Sequence, residues 1–322
     1  MTPRMDWWAF HVFLFDPAQG EACLLEDIMP ALRDLLAQGR VSSWFFIRYW
    51  EGGPHLRVRL AGIGPEDRAA LLERVRAHAA MRCSATTMTR EDYYAGHPFD
   101  GEPVDVEALP WYGDGRVVEI NYVPEVDRYG GLDALQLNET VFRASSDLAV
   151  NLVAATRTDF DKRMGVGFIL LVAAATAVSD NGAGIATFCE HYARMWARHS
   201  VHSGAAAESA LPIPSSAHVS MLARVLAGQP LPGAFAQRWQ EILAQLRKEL
   251  DVLGEQDRLI SPLDGMTAST PERIAHAVVS ILWSQLHMLN NRLAILPMQE
   301  VVLARMVAAA AREALAEEAD AT

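Results

Sequence analysis

The segment His55-Leu56-Arg57-Val58-Arg59-Leu60 gathers the side chains best suited to chemistry in this 322-residue sequence. Side chains alternate across an extended strand, so Leu56, Val58 and Leu60 share one face while His55, Arg57 and Arg59 share the other. Strand pitch sets the two guanidiniums about 7 Å apart with an imidazole beside them. Like charges this close are favourable only when anions accompany them, either protein carboxylates or a bound substrate. Arg48, on the preceding β-prone run, is a third candidate cation. Spacing alone leaves two readings open, a solvated strand face tied to the acidic surface or a site for an anion.

Two further segments carry candidates. In Tyr122-Val123-Pro124-Glu125-Val126-Asp127-Arg128-Tyr129-Gly130-Gly131 a strand ends at Pro124, and a charged loop reaches a glycine pair that permits unusual backbone angles. Asp127 or Glu125 could orient Arg128, or the segment is a tight strand-to-helix turn held by one ion pair. In Ser284-Gln285-Leu286-His287-Met288-Leu289-Asn290-Asn291-Arg292-Leu293, His287 and Asn291 lie four apart on one helical face. Asn291 could then fix the imidazole, or His287 is a core histidine satisfied by a backbone partner.

Other patterns are poorer. Glu190, His191, His199 and His202 do not share a helical face, so a metal site is not expected there. Glu51-Gly52-Gly53-Pro54 has no helix behind it and no lysine, which argues against a phosphate cradle. No serine stands in a nucleophile-elbow context. Ser145-Ser146-Asp147 falls in mid-helix, where packing or capping is the default.

These residues need a frame to position them, and the composition allows one. Apolar residues make up 51% and charged residues 21% of the chain, as in folded globular proteins. The net charge of −12 and sequence pI near 5.3 exclude the broad basic surface that a nucleic-acid backbone requires. Any basic site is therefore local and suits a small anion or a carboxylate. Three scattered cysteines (Cys23, Cys83, Cys189) give neither a zinc spacing nor a disulfide framework. Asp6 and His11 interrupt the apolar N-terminus, and no small-residue cleavage site follows. The longest apolar run, Met164 to Val178, falls short of the roughly 20 residues needed to span a bilayer. A soluble, cytoplasmic protein is expected.

The first third reads mostly as strands. Trp7–Phe15 is one, and 44–50 with 55–60 form a hairpin across a four-residue Gly/Pro loop. Helical spacing appears over Ala22–Gln38, with Gly39 as its cap, and over Pro65–Ala80, with Leu71, Leu72 and Val75 inward. Residues 81–115 read as a long irregular loop with exposed aromatics (Tyr93, Tyr94, Trp111, Tyr112), a candidate wall for substrate. Arg116–Val123 is a further strand. Helices follow at Leu135–Ala155, Met164–Val178, Ala186–His199, Ala234–Leu253, Pro271–Leu293 and Met298–Ala316, with the acidic tail after them frayed. Strands followed by helices predict an α+β fold, with an antiparallel or mixed sheet packed by helices and then a mainly helical C-terminal half.

Taken in order, FFIRYWEGGPHLRVRL, then YVPEVDRYGG followed by Glu139, Phe142 and Ser145-Ser146-Asp147, then LHMLNNRL resemble the C-terminal domain of class I lanthipeptide dehydratases. This is also called the thiopeptide-type bacteriocin biosynthesis domain. The resemblance runs from Trp7 to about Leu293 and implies one such domain over 1–322, with a sheet-rich part (1–130) and a helical part (131–322). It also implies a freestanding version that lacks the large glutamylation domain of the fused enzymes. In the family this domain eliminates glutamate from glutamylated serine and threonine, giving dehydroalanine and dehydrobutyrine.

The family's HLR-x-R arginines, the arginine before YGG and the late-helix histidine match Arg57, Arg59, Arg128 and His287. The resemblance therefore implies three anion-binding arginines and His287 as general acid or base. His55, Arg48, Tyr129 and Asn291 are expected to contact substrate beside them. No metal or redox cofactor is implied. The implied partners are a precursor peptide and a separate tRNA-dependent glutamylating enzyme, without direct nucleic-acid or membrane binding. Some freestanding relatives instead join two dehydroalanines by a formal aza-[4+2] cycloaddition. A non-catalytic peptide-binding partner is a third reading.

Overall fold

The computed structural model describes residues 5–83, 88–95, 105–198 and 213–320. The chain forms two compact units. One comprises the residues up to Pro124 together with Ala149–Ala155, and the other comprises Glu125–Leu148 and the chain from Thr156 onward.

In the first unit, β1 (Trp7–Phe13), β2 (Ser43–Tyr49), β3 (His55–Ala61) and β4 (Val117–Glu119) form an antiparallel sheet in the order β2-β3-β1-β4. The sheet is purely antiparallel, within the expected α+β class. Register fixes its two faces. Phe10, Val12, Phe46, Leu56, Val58 and Leu60 lie on one face and are buried, with Trp8 and Trp44 beside them. Helices cover that face, since Arg68 of α3 (Pro65–Arg82) lies over the Trp8 ring, and α1 (Pro17–Ala22) supplies the Glu21 carboxylate to Arg48.

The expected helix over Ala22–Gln38 begins earlier, at Pro17. Asp16 caps it by accepting from the Ala18 N–H at 2.8 Å, and Pro17 fills the first turn, where its missing N–H costs nothing. A π-helical turn (Cys23–Ile28) then leads into α2 (Met29–Ala37). The wide turn directs the buried Asp27 toward α3, where Arg82 donates to it at 2.6 Å and His78 also pairs with it.

The loop expectation over 81–115 needs correction where the chain is described. Arg90–Ala95 forms a short helix (α4), and its aromatics are packed inward. Tyr94 is 2% exposed, accepts from the Gly52 N–H at 2.8 Å and donates to the Pro110 carbonyl at 3.0 Å. Tyr112 stacks on Phe13 at 4.5 Å and Trp111 lies against Phe15. A Cβ on Gly52, whose φ is +88°, would meet the Tyr112 ring at 2.8 Å, so glycine serves both the turn and the packing. The strand expected over Arg116–Val123 shortens to Val117–Glu119. β4 is an edge strand held by β1 alone, so pairing ends when the chain turns away.

The second unit is helical. It contains most of α5 (Leu132–Ala155), then α6 (Phe160–Thr176), α7 (Gly182–Arg198), α8 (Ser216–Leu226), α9 (Ala234–Glu255), α10 (Pro271–Arg292) and α11 (Pro297–Asp320). Caps set several starts that apolar periodicity alone misses. Asp159 accepts from the Lys162 N–H, Ser215 opens α8 with a capping box, and Thr270 accepts from the Arg273 N–H. The acidic tail continues the helix through Asp320, and Val307, Ala311 and Ala314 bury the face of α11 that leads into it. Among the described residues, no single helix is long and apolar enough to cross a membrane.

Candidate functional site

On the sheet, His55, Arg57 and Arg59 share a face with Phe13, His11, Ala9, Tyr49, Ile47 and Phe45, their register partners on β1 and β2. This face is not the solvated surface that charge alone would suggest. His55 is 5% and Arg59 is 7% exposed, roofed by aromatic rings. The Arg59 guanidinium lies 4.9 Å from the Phe45 ring centre and 4.8 Å from that of Tyr122. Arg57 sits 3.5 Å over Tyr49 and pairs with Glu51 at 3.3 Å. Rings offer the cations a desolvated contact that carbonyls and water do not compete for.

The imidazole at the centre has one tautomer. His55 Nδ1 lies 2.7 Å from the Gly53 carbonyl, which can only accept, so Nδ1 carries the proton. Nε2 then offers its lone pair, and Arg57 Nε donates to it at 3.1 Å. Burial, with Arg57 and Arg59 adding to it against the Gly53 carbonyl, lowers the His55 pKa to about 3. His11 stacks on His55 at 4.8 Å, and its Nδ1 is buried without a hydrogen-bond partner. Burial, followed by the charges of His55, Arg57 and Arg59, lowers it to about 2. Both rings are neutral near pH 7, so the positive charge of this face belongs to the arginines.

Arg48 does not join this face. It pairs in register with Leu56, which turns it to the helix-covered side, where it donates to Glu21 at 3.2 Å. A strand's alternation puts Arg48 and its neighbours Ile47 and Tyr49 on opposite sides of the sheet.

In the helical unit, Arg128 and His287 flank one turn of α10. Arg128 pairs with Glu125 at 3.0 Å and reaches Ser284 Oγ at 3.4 Å, three residues before His287. Of the two carboxylates anticipated, Glu125 is the one that orients it. Tyr129 is buried edge-on against Phe142, gives its carbonyl to Asn138 and has the Arg128 guanidinium 5.8 Å over its ring. The turn depends on Gly130, whose φ is +87° and whose Cβ would meet Ile281 at 2.8 Å and Leu259 at 2.9 Å.

His287 is oriented by Glu300 of α11, a partner that lies outside its own helix. Its Nδ1 lies 2.9 Å from Glu300 Oε1, while Asn290 donates to Oε2 at 3.0 Å and the Tyr192 hydroxyl also donates to Oε2. Trp196 stacks on the imidazole with ring centres 3.8 Å apart. The His287 side chain is 12% exposed, and the Glu300 carboxyl beneath it is fully buried. Burial first, then the Glu300 charge, holds the Tyr192 hydroxyl well above its ordinary pKa, with a hydrogen bond from Asn290 and then Arg128 opposing. Tyr192 therefore remains a donor.

Ser145 and Ser146 bond back to helix carbonyls at Val141 and Phe142, and Ser146 also accepts from the buried Arg292. These are packing roles, as the default reading holds. Among the described residues, no group of three histidine, cysteine, aspartate or glutamate side chains could hold a metal. His199 and His202 lie outside those residues. Sequence reasoning missed His11, Glu300, Tyr192 and Trp196. His11 stands two residues from Phe13 in a strand alternation that places it beside Arg57, and Glu300 is the one acid on an otherwise apolar stripe with Leu303, Ala304 and Val307.

The family described as lantibiotic biosynthesis dehydratase C-term matches residues 7–311. No protein of curated function matches the sequence. Several solved structures share the fold, among them the following three. TsrL superposes with a TM-score of 0.66 at 19% identity over 99% of this chain and 97% of its own. TbtD, the pyridine synthase of thiomuracin biosynthesis, gives 0.69 at 18% identity over 97% and 99%. MibB, a tRNA-dependent lantibiotic dehydratase from Microbispora sp. 107891, gives 0.58 at 19% identity over 99% of this chain but 29% of its own length.

Proposed function

This chain belongs to the lantibiotic dehydratase C-terminal family, and from that premise we propose that it eliminates glutamate from glutamylated serine and threonine of a ribosomally made peptide. In the reaction a base takes the Cα proton and its electron pair forms the Cα=Cβ bond. The Cβ–O bond of the ester breaks, and glutamate leaves as a carboxylate. Negative charge develops on the enolate and on the leaving group, so the reaction needs fixed cations and one group able to move a proton.

The observation that carries this reading is where the cations stand. Arg57 and Arg59 keep their guanidiniums against aromatic rings on a dry face whose histidines are neutral, so the positive charge offered to a carboxylate there is that of the two arginines, with Glu51 paired to Arg57. Arg128 stands beside the turn that holds His287. We assign Arg57, Arg59 and Arg128 to anion binding and His287 to proton transfer, with His55 contributing by orienting Arg57. The precursor peptide and a separate glutamylating enzyme are the partners this reading requires.

A second reading has its own support. The chain and the pyridine synthase TbtD match over nearly their full lengths, which favours a cycloaddition on the same fold. The elimination reading is preferred because a cycloaddition that releases no glutamate has little use for three glutamate-binding arginines. Incubation with a glutamylated precursor peptide decides between them. Free glutamate and dehydrated residues are expected, and Arg57→Ala or His287→Ala should abolish both while circular dichroism is unchanged. Conversion of an already dehydrated peptide into a macrocycle, without glutamate release, would overturn elimination.

A further inference from the structure

We propose that Glu300 is the positioning residue of the helical site, holding His287 as its Nδ1–H tautomer so that Nε2 is the atom that exchanges the proton. The inference rests on the assignment of His287 to proton transfer and goes beyond it by naming the atom and the group that selects it.

The argument is a count of donors and acceptors. The Glu300 carboxyl is fully buried and receives three groups from two neighbouring helices. Tyr192 of α7 and Asn290 of α10 both donate to Oε2, and His287 meets Oε1 at 2.9 Å. Asn290 gives its NH2, and the Tyr192 hydroxyl stays protonated because burial and the Glu300 charge hold it far above its ordinary range. With Oε2 occupied by two donors, Oε1 is left for the imidazole, and a carboxylate oxygen accepts only from a protonated nitrogen. In its neutral form the ring therefore keeps its proton on Nδ1 and its lone pair on Nε2. Trp196, stacked at 3.8 Å with a 23° interplanar angle, blocks one face of the ring and opposes a flip that would exchange the two nitrogens. The charged groups that face this network are Glu300 from α11 and Arg128 from the turn before α5.

Glu300→Gln separates a lock from mere packing, because it keeps the shape and changes the hydrogen-bond signs. The amide has one accepting oxygen, which the two donors at the Oε2 position retain. Its NH2 then faces His287 Nδ1, which must become the lone pair and send the proton to Nε2. Nitrogen-15 NMR on histidine-labelled protein, assigned by comparison with His287→Gln, reads the tautomer without any substrate. The expected result is Nδ1–H in the wild type and Nε2–H in Glu300→Gln. Tyr192→Phe, which leaves the Glu300–His287 pair in place, should remain Nδ1–H.

With the glutamylated peptide, Glu300→Gln should lower kcat by about 10²- to 10⁴-fold at unchanged KM. Nε2–H in the wild type, or no change of tautomer in Glu300→Gln, would overturn the lock. Should that variant not fold, the wild-type nitrogen shifts decide alone. A tautomer that switches with full turnover retained would overturn the positioning role. Failure of elimination itself would appear as a wild-type protein inactive on the peptide with the tautomers as stated, and would count against the reaction alone.

Discussion

Acidification from about pH 7 to about pH 5 should destabilise the sheet unit through His11 and His55. The two rings stack at 4.8 Å, are 4% and 5% exposed, and are held neutral by burial and by Arg57 and Arg59. Their pKa values of about 2 and about 3 lie far below the ordinary 6.5. A base lowered on folding is protonated first in the unfolded chain. The stability it supports is therefore complete above 6.5 and is lost as the pH falls toward its folded value. Each pH unit in that window costs about 1.4 kcal/mol per histidine. At about pH 5 the loss is about 2 kcal/mol for each ring and about 4 kcal/mol for the pair, against a usual total of about 5–15 kcal/mol.

Urea unfolding followed by tryptophan fluorescence measures this, with His11→Gln and His55→Gln as non-titrating references. Each variant is less stable than the wild type at neutral pH, and the gap should shrink by about 2 kcal/mol at about pH 5. A gap that is the same at both pH values refutes the reasoning, because the histidines would then titrate alike in the folded and unfolded chains.

Two further outcomes follow from backbone geometry. Gly130→Ala should destabilise the helical unit by about 2–4 kcal/mol, from a left-handed backbone and a collision with Ile281 and Leu259. It should also weaken turnover by displacing Arg128, which thermal unfolding and the glutamate-release assay check together. Ala294 closes α10 at φ +58°, with Ile295 N–H bonded to Asn290 and Ala294 N–H bonded to Asn291. Glycine is the residue that position favours, so Ala294→Gly should raise stability by about 0.5–1 kcal/mol in denaturant unfolding.

The sequence by itself determined the three long strands and most of the long helices, and which side of each is apolar. The alternation of Leu56, Val58 and Leu60 with His55, Arg57 and Arg59 is a local property of an extended chain, and it survives unchanged in β3. The spacing of α10 likewise presents His287 one turn from Ser284. Helix starts were less legible, because a cap such as Asp16 or Asp159 acts by a single hydrogen bond that apolar periodicity does not register.

Register and cross-helix contacts were decided by the tertiary structure. Whether Arg48 faces the arginines depends on the offset of β2 against β3, and one residue of offset reverses it. The partner of His287 lies on α11, so a sequence reading that looks four residues along the same helix finds Asn291 and misses Glu300. The sheet's charged face was the clearest chemical signal in the chain, yet its character followed from burial. Rings from β1, β2 and the segment after β4 cover it and leave its histidines neutral and its arginines desolvated. Those rings come from distant parts of the chain, and no local pattern states which residues will cover which.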